Sequence, residues 1–521
     1  MRSAVTATRA LSCGALAALA ALAAHAAPAS ASRTAASAEK RPNVVLIVTD
    51  DQAVQTLRPD TMPSLVDLIA ARGTSFTDAI VTTPLCCPSR ASMLTGQYGH
   101  NNGVLKNDYN QLKDKRNVLP TWLGRAGYRT IHVGKFLNVY RKAPGPESKP
   151  APGWDVWQTL KEPNTYYDYD LSINGRKVNY GTSDDDYLTD VLSRRAARLV
   201  RRSAARKRPF YLQLDEWAPH ASPGRGTGPC GSGADPVPGP ADESLFTQEP
   251  LPHPPSFDEQ DVGDKPSFVQ DKPPLDVSAV EREYRCGLAS LRAVDRGIEK
   301  VFQALKSSGE LDDTVIIFAS DNGYLYGEHG LRYKLLPYEE ALRVPLMISL
   351  PAGLRGGVER IPEIAEPVAN IDLAPTILEL AGAEPCRRAK RCRVMDGRSL
   401  MPLLHGEDED WPHDRALVVE FTGQHQGFSS CSYRGIRTPG EAYVEHTSVP
   451  EFDTGGCEPT LEVEHYDLGS DPFQLDNLYP ALPATPEAGE QQLLADRLAT
   501  LRSCTGIAGR DPRRPNRAHC E

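Results

Sequence analysis

The chain has 521 residues, 40% hydrophobic and 24% charged, the balance of a soluble globular protein with room for roughly two to four domains. A net charge of -10 argues against the basic face that nucleic-acid binding needs, so no partner of that class is expected. An anionic substrate would have to be drawn in by a local basic site, because the overall field repels it.

Arg2 and Arg9 precede an Ala/Leu run from Gly14 to Ala24, and Ala-x-Ala sites end at Ala26 and Ala31. These are the parts of a secretory signal peptide over residues 1–31, cleaved near Ala26 or Ala31. The run is too short to span a bilayer, no later segment is long enough, and Cys13 lies before the run. No membrane anchor is therefore expected. Residues 32–40 read as a disordered leader, and the mature chain as soluble and secreted, extracellular or periplasmic. Of the 11 cysteines, Cys13 leaves with the signal, and an oxidising compartment would pair most of the rest. Cys386 with Cys392, Cys431 with Cys457, Cys504 with Cys520 and, at longer range, Cys230 with Cys286 are candidates, although connectivity cannot be read from sequence. With Cys86 set aside for a chemical role, Cys87 is then left over as a small buried apolar residue.

From Arg41 onward, short β-branched runs alternate with helical stretches. This predicts an α/β fold on a large, mainly parallel or mixed sheet flanked by helices. Strands are expected at Asn43–Thr49, Tyr128–Gly134, Pro209–Leu214, Thr314–Ser320 and Leu346–Leu350, and helices at Met62–Arg72 and Ala279–Ser307. Residues 221–275, rich in Pro, Gly and Asp, read as a long surface excursion. After about residue 405, short alternating runs predict a smaller antiparallel subdomain capped by a helix near Glu490–Arg502. The expected division is a large domain over 41–404 and a small C-terminal subdomain over 405–521.

Polar residues follow the strands. Asn43–Thr49 leads to Asp50-Asp51, Thr314–Ser320 to Asp321-Asn322, Tyr128–Gly134 to Lys135, and Pro209–Leu214 comes within a few residues of His220. In an open parallel sheet the strand carboxyl ends share one edge, where ligands bind, so separate stretches deliver these groups to one place. Either acidic pair alone is more often a turn or helix cap. Both pairs with an amide make an all-oxygen set suited to a hard divalent cation, Ca2+ over Zn2+.

In Leu85-Cys86-Cys87-Pro88-Ser89-Arg90, Pro88 fits the first turn of a helix, which sets Cys86 at its positive N-terminal end. Arg90 projects from that turn and can fork two donors toward an oxyanion. Cys86 alone would read as a buried thiol or half a disulfide; its neighbours overturn that.

Cys86-x-Pro88-Ser89-Arg90 followed by Leu94-Thr95-Gly96 resembles the signature of the type I, formylglycine-dependent sulfatases. The resemblance runs from Arg41 to about Leu478 and includes Asp50-Asp51-Gln52, Gly134-Lys135, Ala218-Pro219-His220, Asp321-Asn322-Gly323, Lys334, Arg343-Val344-Pro345 and Tyr466-Asp467-Leu468. Thr82-Thr83-Pro84-Leu85-Cys86-Cys87, Gly134-Lys135-Phe136-Leu137-Asn138 and the stretch from Tyr166 to Gly175 resemble the N-acetylglucosamine-6-sulfatases and their extracellular heparan relatives. Gly327-Glu328-His329-Gly330-Leu331 is more like arylsulfatases and choline-type sulfatases.

The resemblance implies an alkaline-phosphatase-like sulfatase fold whose 41–404 domain hydrolyses sulfate monoesters, with N-acetylglucosamine 6-sulfate as the type of substrate. It implies a maturation partner, the formylglycine-generating enzyme, which converts Cys86 to formylglycine (3-oxoalanine). One hydroxyl of the hydrated aldehyde then attacks sulfur and the other later expels sulfate. One Ca2+ per chain is implied on Asp50, Asp51, Asp321, Asn322 and an oxygen of modified Cys86. Arg90 is expected to hold the hydrated aldehyde, Lys135 and Lys334 to pin sulfate oxygens, and His220 or Lys334 to protonate the leaving oxygen.

Many sulfatases carry a histidine two residues after the strand-end lysine. Here that position is Leu137, beside Asn138, which cannot take up a proton at neutral pH. His100 and His329 are candidates for the base, each equally suited to a loop or cap role, and His465 reads as structural. The Tyr166–Tyr169 cluster suits either a sugar-stacking platform or a packed core edge. Competing readings are an arylsulfatase, a phosphodiesterase or phosphonate monoester hydrolase on the same fold, or a glycan-binding protein in which Cys86 stays a thiol.

Overall fold

Every residue of the strand Asn43–Asp50 is buried, as in a strand covered on both faces. Its alternate side chains divide between two cores. Val44, Leu46 and Val48 join Trp122, Trp157 and Ile348 on one face, and Val45 and Ile47 join Leu188, Val294 and Phe318 on the other. The computed structural model describes residues 41–140, 149–161, 164–223, 230, 234–389, 391–423, 431–451, 456–480 and 486–521. The signal peptide over 1–31 and the leader over 32–40 lie outside the described residues.

This strand is central in a ten-stranded sheet. Thr314–Ser320 and Phe210–Pro219 flank it in parallel, and Arg129–Gly134 runs parallel beyond Phe210–Pro219. Leu346–Ser349, Tyr169–Ile173 and Arg176–Tyr180 pair antiparallel further out, so the sheet is mixed. The carboxyl ends of the four central strands therefore lie along one edge.

One strand differs from expectation. Phe210–Pro219 continues past Leu214, because Asp215 and Glu216, which read as a stop, are each 1% exposed and belong to the interior. The stretch expected as a helix over Met62–Arg72 divides into Pro63–Leu68 and the 3-10 turn Ala70–Arg72. The long helix Val277–Ser307 starts at Asp276, whose carboxylate accepts the Ala279 N–H. The described residues of the stretch 221–275 are more than a surface excursion. Leu251, Phe268, Val269 and Lys265 are buried, and the Asp258 N–H donates to Gly327 O at 2.8 Å. The segment lacks periodicity because it packs irregularly against the hairpin around Gly327.

At the C-terminal end, Leu417–Phe421, Tyr433–Arg437, Glu441–Glu451 and Gly456–Asp467 form a four-stranded antiparallel sheet, followed by the helix Pro486–Leu501. Leu417, Val419, Ile436 and Leu498 share a core with Ile80, Tyr98 and Leu342. All four candidate disulfides are present, while Cys86 and Cys87 are free and buried. Among the described residues, no helix is long and apolar enough to cross a membrane.

Candidate active site

Asp50 ends the central strand, and Asp51 turns the chain with φ 68°, a left-handed conformation that aspartate tolerates better than most residues. Asp50, Asp51, Cys86 and His220 each offer one ligand atom, and these atoms all lie within 4.8 Å of one another. Cys86 opens the buried helix Cys86–Thr95. The helix has no cap from Leu85; Asn107 Oδ1 instead accepts the Cys87 N–H at 3.0 Å, satisfying one of the donors a helix start leaves over.

Gly134 fixes where Lys135 begins. Its φ is +110°, and a Cβ there would sit 1.8 Å from Asp215 O, so only glycine fits. The Lys135 N–H then donates to Asp215 O at 2.9 Å, and Nζ donates to Asp50 Oδ2. Lys334 lies between Tyr333 and Leu335, whose φ values of 80° and 81° cost about 1–3 kcal/mol each. Strain of this kind persists only where the surroundings enforce it. Lys334 Nζ donates to Asp51 Oδ1 and, across 3.0 Å, to Cys86 Sγ.

The Arg90 fork is turned onto carboxylates. Nε donates to Asp321 Oδ2 at 2.7 Å and Nη1 to Asp215 Oδ1 at 2.9 Å. Nη2 is buried without a hydrogen-bond partner among the described residues, 4.0 Å from Asp50 Oδ2. Only this one nitrogen is left for a ligand, where two donors were expected. Asp321 Oδ1 accepts the Asp51 N–H at 3.1 Å, and Asn322 Nδ2 donates to Asp51 Oδ1 at 2.8 Å. His220 Nε2 stands 3.5 Å from Asp51 Oδ2, and its side chain keeps 25% exposure against 5% for Asp51. The cluster therefore opens to solvent at His220.

Burial alone would raise the pKa values of Asp50 and Asp51; Lys135 and Lys334 respectively, with His220, overcome it and hold both below the usual carboxylate range. Burial, then Asp50, pushes the Cys86 thiol up to about 12, so as a thiol it carries no charge at neutral pH. Burial lowers His220 against the opposing pull of Asp51 and Asp50. For Lys334 the attraction of the Asp51 carboxylate outweighs burial and raises the pKa.

All the expected site residues are thus brought together. Of the expected cation ligands, Asp50, Asp51 and Cys86 fall in the tight cluster, while Asp321 and Asn322 adjoin it through hydrogen bonds to Asp51. His100, bonded to Glu420 at 2.8 Å and to Cys504 O at 3.1 Å, ties chain segments together. His329 is buried against Glu259 and Tyr338, and His465 against Glu441. Of the two readings of the tyrosine cluster, the structure has the packed edge. Tyr166 and Tyr169 are 1% and 2% exposed, stacked on Tyr187 and Tyr180 as a packed edge. Asp215, His132, Asn107 and Trp217, over whose ring Lys135 Nζ lies at 4.9 Å, were not anticipated. The one signal in the sequence was Gln213-Leu214-Asp215-Glu216, polar residues inside an apolar run.

Residues 42–383 match the family described as Sulfatase, and residues 327–503 that described as N-sulphoglucosamine sulphohydrolase, C-terminal. The chain is 34% identical over 415 residues to the extracellular sulfatase SULF-1 homolog of Drosophila melanogaster, which covers 76% of this chain and 34% of that protein. It is 32% identical over 519 residues to the N-acetylglucosamine-6-sulfatase of Homo sapiens, covering 92% of this chain and 87% of that one. The chain spans 34% and 51% of the lengths of the Drosophila protein and its Caenorhabditis elegans counterpart. A protein solved in complex with its substrate D-glucosamine-2-N,6-O-disulfate shares the fold, with a TM-score of 0.73 at 23% identity over 88% of this chain and 97% of that one.

Proposed function

The chain belongs to the sulfatase family, and on that premise we propose that it is a secreted hydrolase of sulfate monoesters acting on sulfated carbohydrate such as N-acetylglucosamine 6-sulfate. The observation that carries the reading is the charge balance of the buried cluster. Asp50, Asp51, Asp215 and Asp321 face Arg90, Lys135 and Lys334, all 4% exposed or less. Among these seven side chains the sum is four negative and three positive charges. A divalent cation and one sulfate monoester anion would bring it to zero, which suits a buried site.

The residues fit a cation. Asp50 Oδ1 and Asn322 Oδ1 are buried with no hydrogen-bond partner among the described residues, and hard oxygen donors suit Ca2+. Asp50, Asp51, Asp321, Asn322 and an oxygen at position 86 would hold it. Bound there, Ca2+ would supply Lewis-acid polarisation and lower the pKa of a nearby hydroxyl. Position 86 is proposed to carry formylglycine, made by the formylglycine-generating enzyme, because a thiol pushed up to about 12 is a poor nucleophile at neutral pH.

Lys135 and Lys334 stay charged and pin sulfate oxygens as negative charge builds. Arg90 Nη2 supplies a further donor beside Asp50. His220, at the opening, gives its proton to the leaving oxygen, and its lowered pKa makes the protonated ring a stronger acid. Lys334 then serves as a fixed charge. The signal-like N-terminus and the extracellular relatives support export.

The test is a panel of sulfated mono- and disaccharides beside an aryl sulfate, a phosphate diester and a phosphonate, run with and without calcium. Peptide mass spectrometry at position 86 accompanies it. Calcium-dependent turnover of the sugar sulfates with an aldehyde at 86 is expected. An intact thiol in protein from the native host, with no ester cleaved, overturns the reading in favour of glycan binding.

A further inference from the structure

We propose that Asp215 is a positioning residue that locks the rotation of the Arg90 guanidinium and leaves Nη2 as the donor for a sulfate oxygen. The proposal rests on the sulfatase reading above.

A guanidinium held by one carboxylate can pivot about that contact. Arg90 is gripped on two edges, by Asp321 at Nε and by Asp215 at Nη1, with Lys135 O also accepting from Nη1 at 3.3 Å. Two anchors define the plane of the fork. The remaining corner is Nη2, without a hydrogen-bond partner among the described residues and 4.0 Å from Asp50 Oδ2.

Asp215 is itself held. Gln213 Nε2 donates to Asp215 Oδ1 at 3.1 Å, and Tyr211 Oη to Gln213 Oε1 at 2.9 Å. His132 Nε2 lies 3.0 Å from Asp215 Oδ2, with its better hydrogen-bond alignment toward Lys135 O at 3.3 Å. The His132 ring is fixed against Trp157 at 4.6 Å and Phe136 at 5.3 Å. Through its backbone Asp215 also receives the Lys135 N–H. One residue thus registers two cations of the proposed sulfate site against each other. A buried ion pair adds little net stability over apolar packing of the same shape, so geometry is the better account of its presence.

The variant Asp215→Asn keeps the shape and one acceptor while removing the charge. Wild type and variant are compared for kcat and KM on 4-nitrophenyl sulfate, for inhibition by inorganic sulfate, and for thermal midpoint. The expected result is a loss in kcat/KM of roughly ten- to a hundredfold and weaker inhibition by sulfate, with the midpoint nearly unchanged. His132→Gln should move the same readouts less, and it carries the test if Asp215→Asn does not fold. Retained kcat/KM, or a loss that only tracks the folded fraction, overturns the proposal. If the wild type cleaves no sulfate ester, the functional reading falls. Calorimetry of inorganic sulfate with calcium then decides this one, weaker binding by the variant supporting it and equal binding overturning it.

Discussion

Lys334 Nζ donates to the Cys86 sulfur across 3.0 Å, although 248 residues separate the two. The Lys334 ammonium therefore stands directly against the side chain at position 86. Cys86→Ala should fold with a nearly wild-type thermal midpoint and lose at least about 10⁴-fold in kcat. Residual turnover close to wild type would remove position 86 from the chemistry.

Gly134→Ala should be severe. The added Cβ meets Asp215 O at 1.8 Å on a backbone with φ +110°, a clash with main chain that no side-chain movement relieves. A destabilisation of about 4 kcal/mol or more is expected, measured by chemical denaturation. A loss near that of an ordinary surface change would mean that the strand end is softer than its geometry.

Calcium should stabilise the fold. Asp50 and Asp51, the carboxylates that would hold the ion, accept from Lys135 and Lys334 respectively, and a divalent cation would add to that positive charge. Calcium at a hundred times its dissociation constant should add about 2.7 kcal/mol, seen as a higher melting point than in chelator. Asp51→Asn should shrink that increment. A wild type indifferent to calcium would speak against the cation site.

The alkaline limb of stability should depend on Glu340. Burial, then the like charge of Glu328, pushes its pKa up to about 8, while the unfolded carboxyl stays near 4.5. Between those values the folded chain binds more protons, so this contribution is complete below pH 4.5 and fades as pH rises through about 8. Glu340→Gln should flatten the fall in melting temperature between these limits. An unchanged slope would assign the effect elsewhere.

The tail is fastened by Cys504–Cys520, which closes a loop with a sequence separation of 16. Replacing both by serine should cost about 3 kcal/mol. Because His100 and Asn101 both donate to or face Cys504 O, at 3.1 and 2.8 Å, hydrogen exchange should rise around residues 99–102 as well. Exchange confined to the tail would show that the disulfide acts locally.

The convergence of the strand-end residues was legible because apolar runs of strand length each stop at a polar residue, and parallel topology sends those stops to one edge. Asp215 was not, because a charged pair after Leu214 looks like the end of a strand; only its partners Arg90 and Gln213, distant or hidden in alternation, explain its burial. The Arg90 fork was misjudged for the same reason, since a sequence does not reveal which carboxylate will claim a donor. The tyrosines at 166 and 169 carried an aromatic signal without a direction, and the sheet edge turned both inward.

Cys86 is 1% exposed, at the foot of a helix buried along its whole length. No second protein could grasp that residue without undoing the centre of the molecule. Any enzymatic alteration of it has to happen while the polypeptide is still open, so competence would be settled during biosynthesis, with no later chance of repair once the chain has closed.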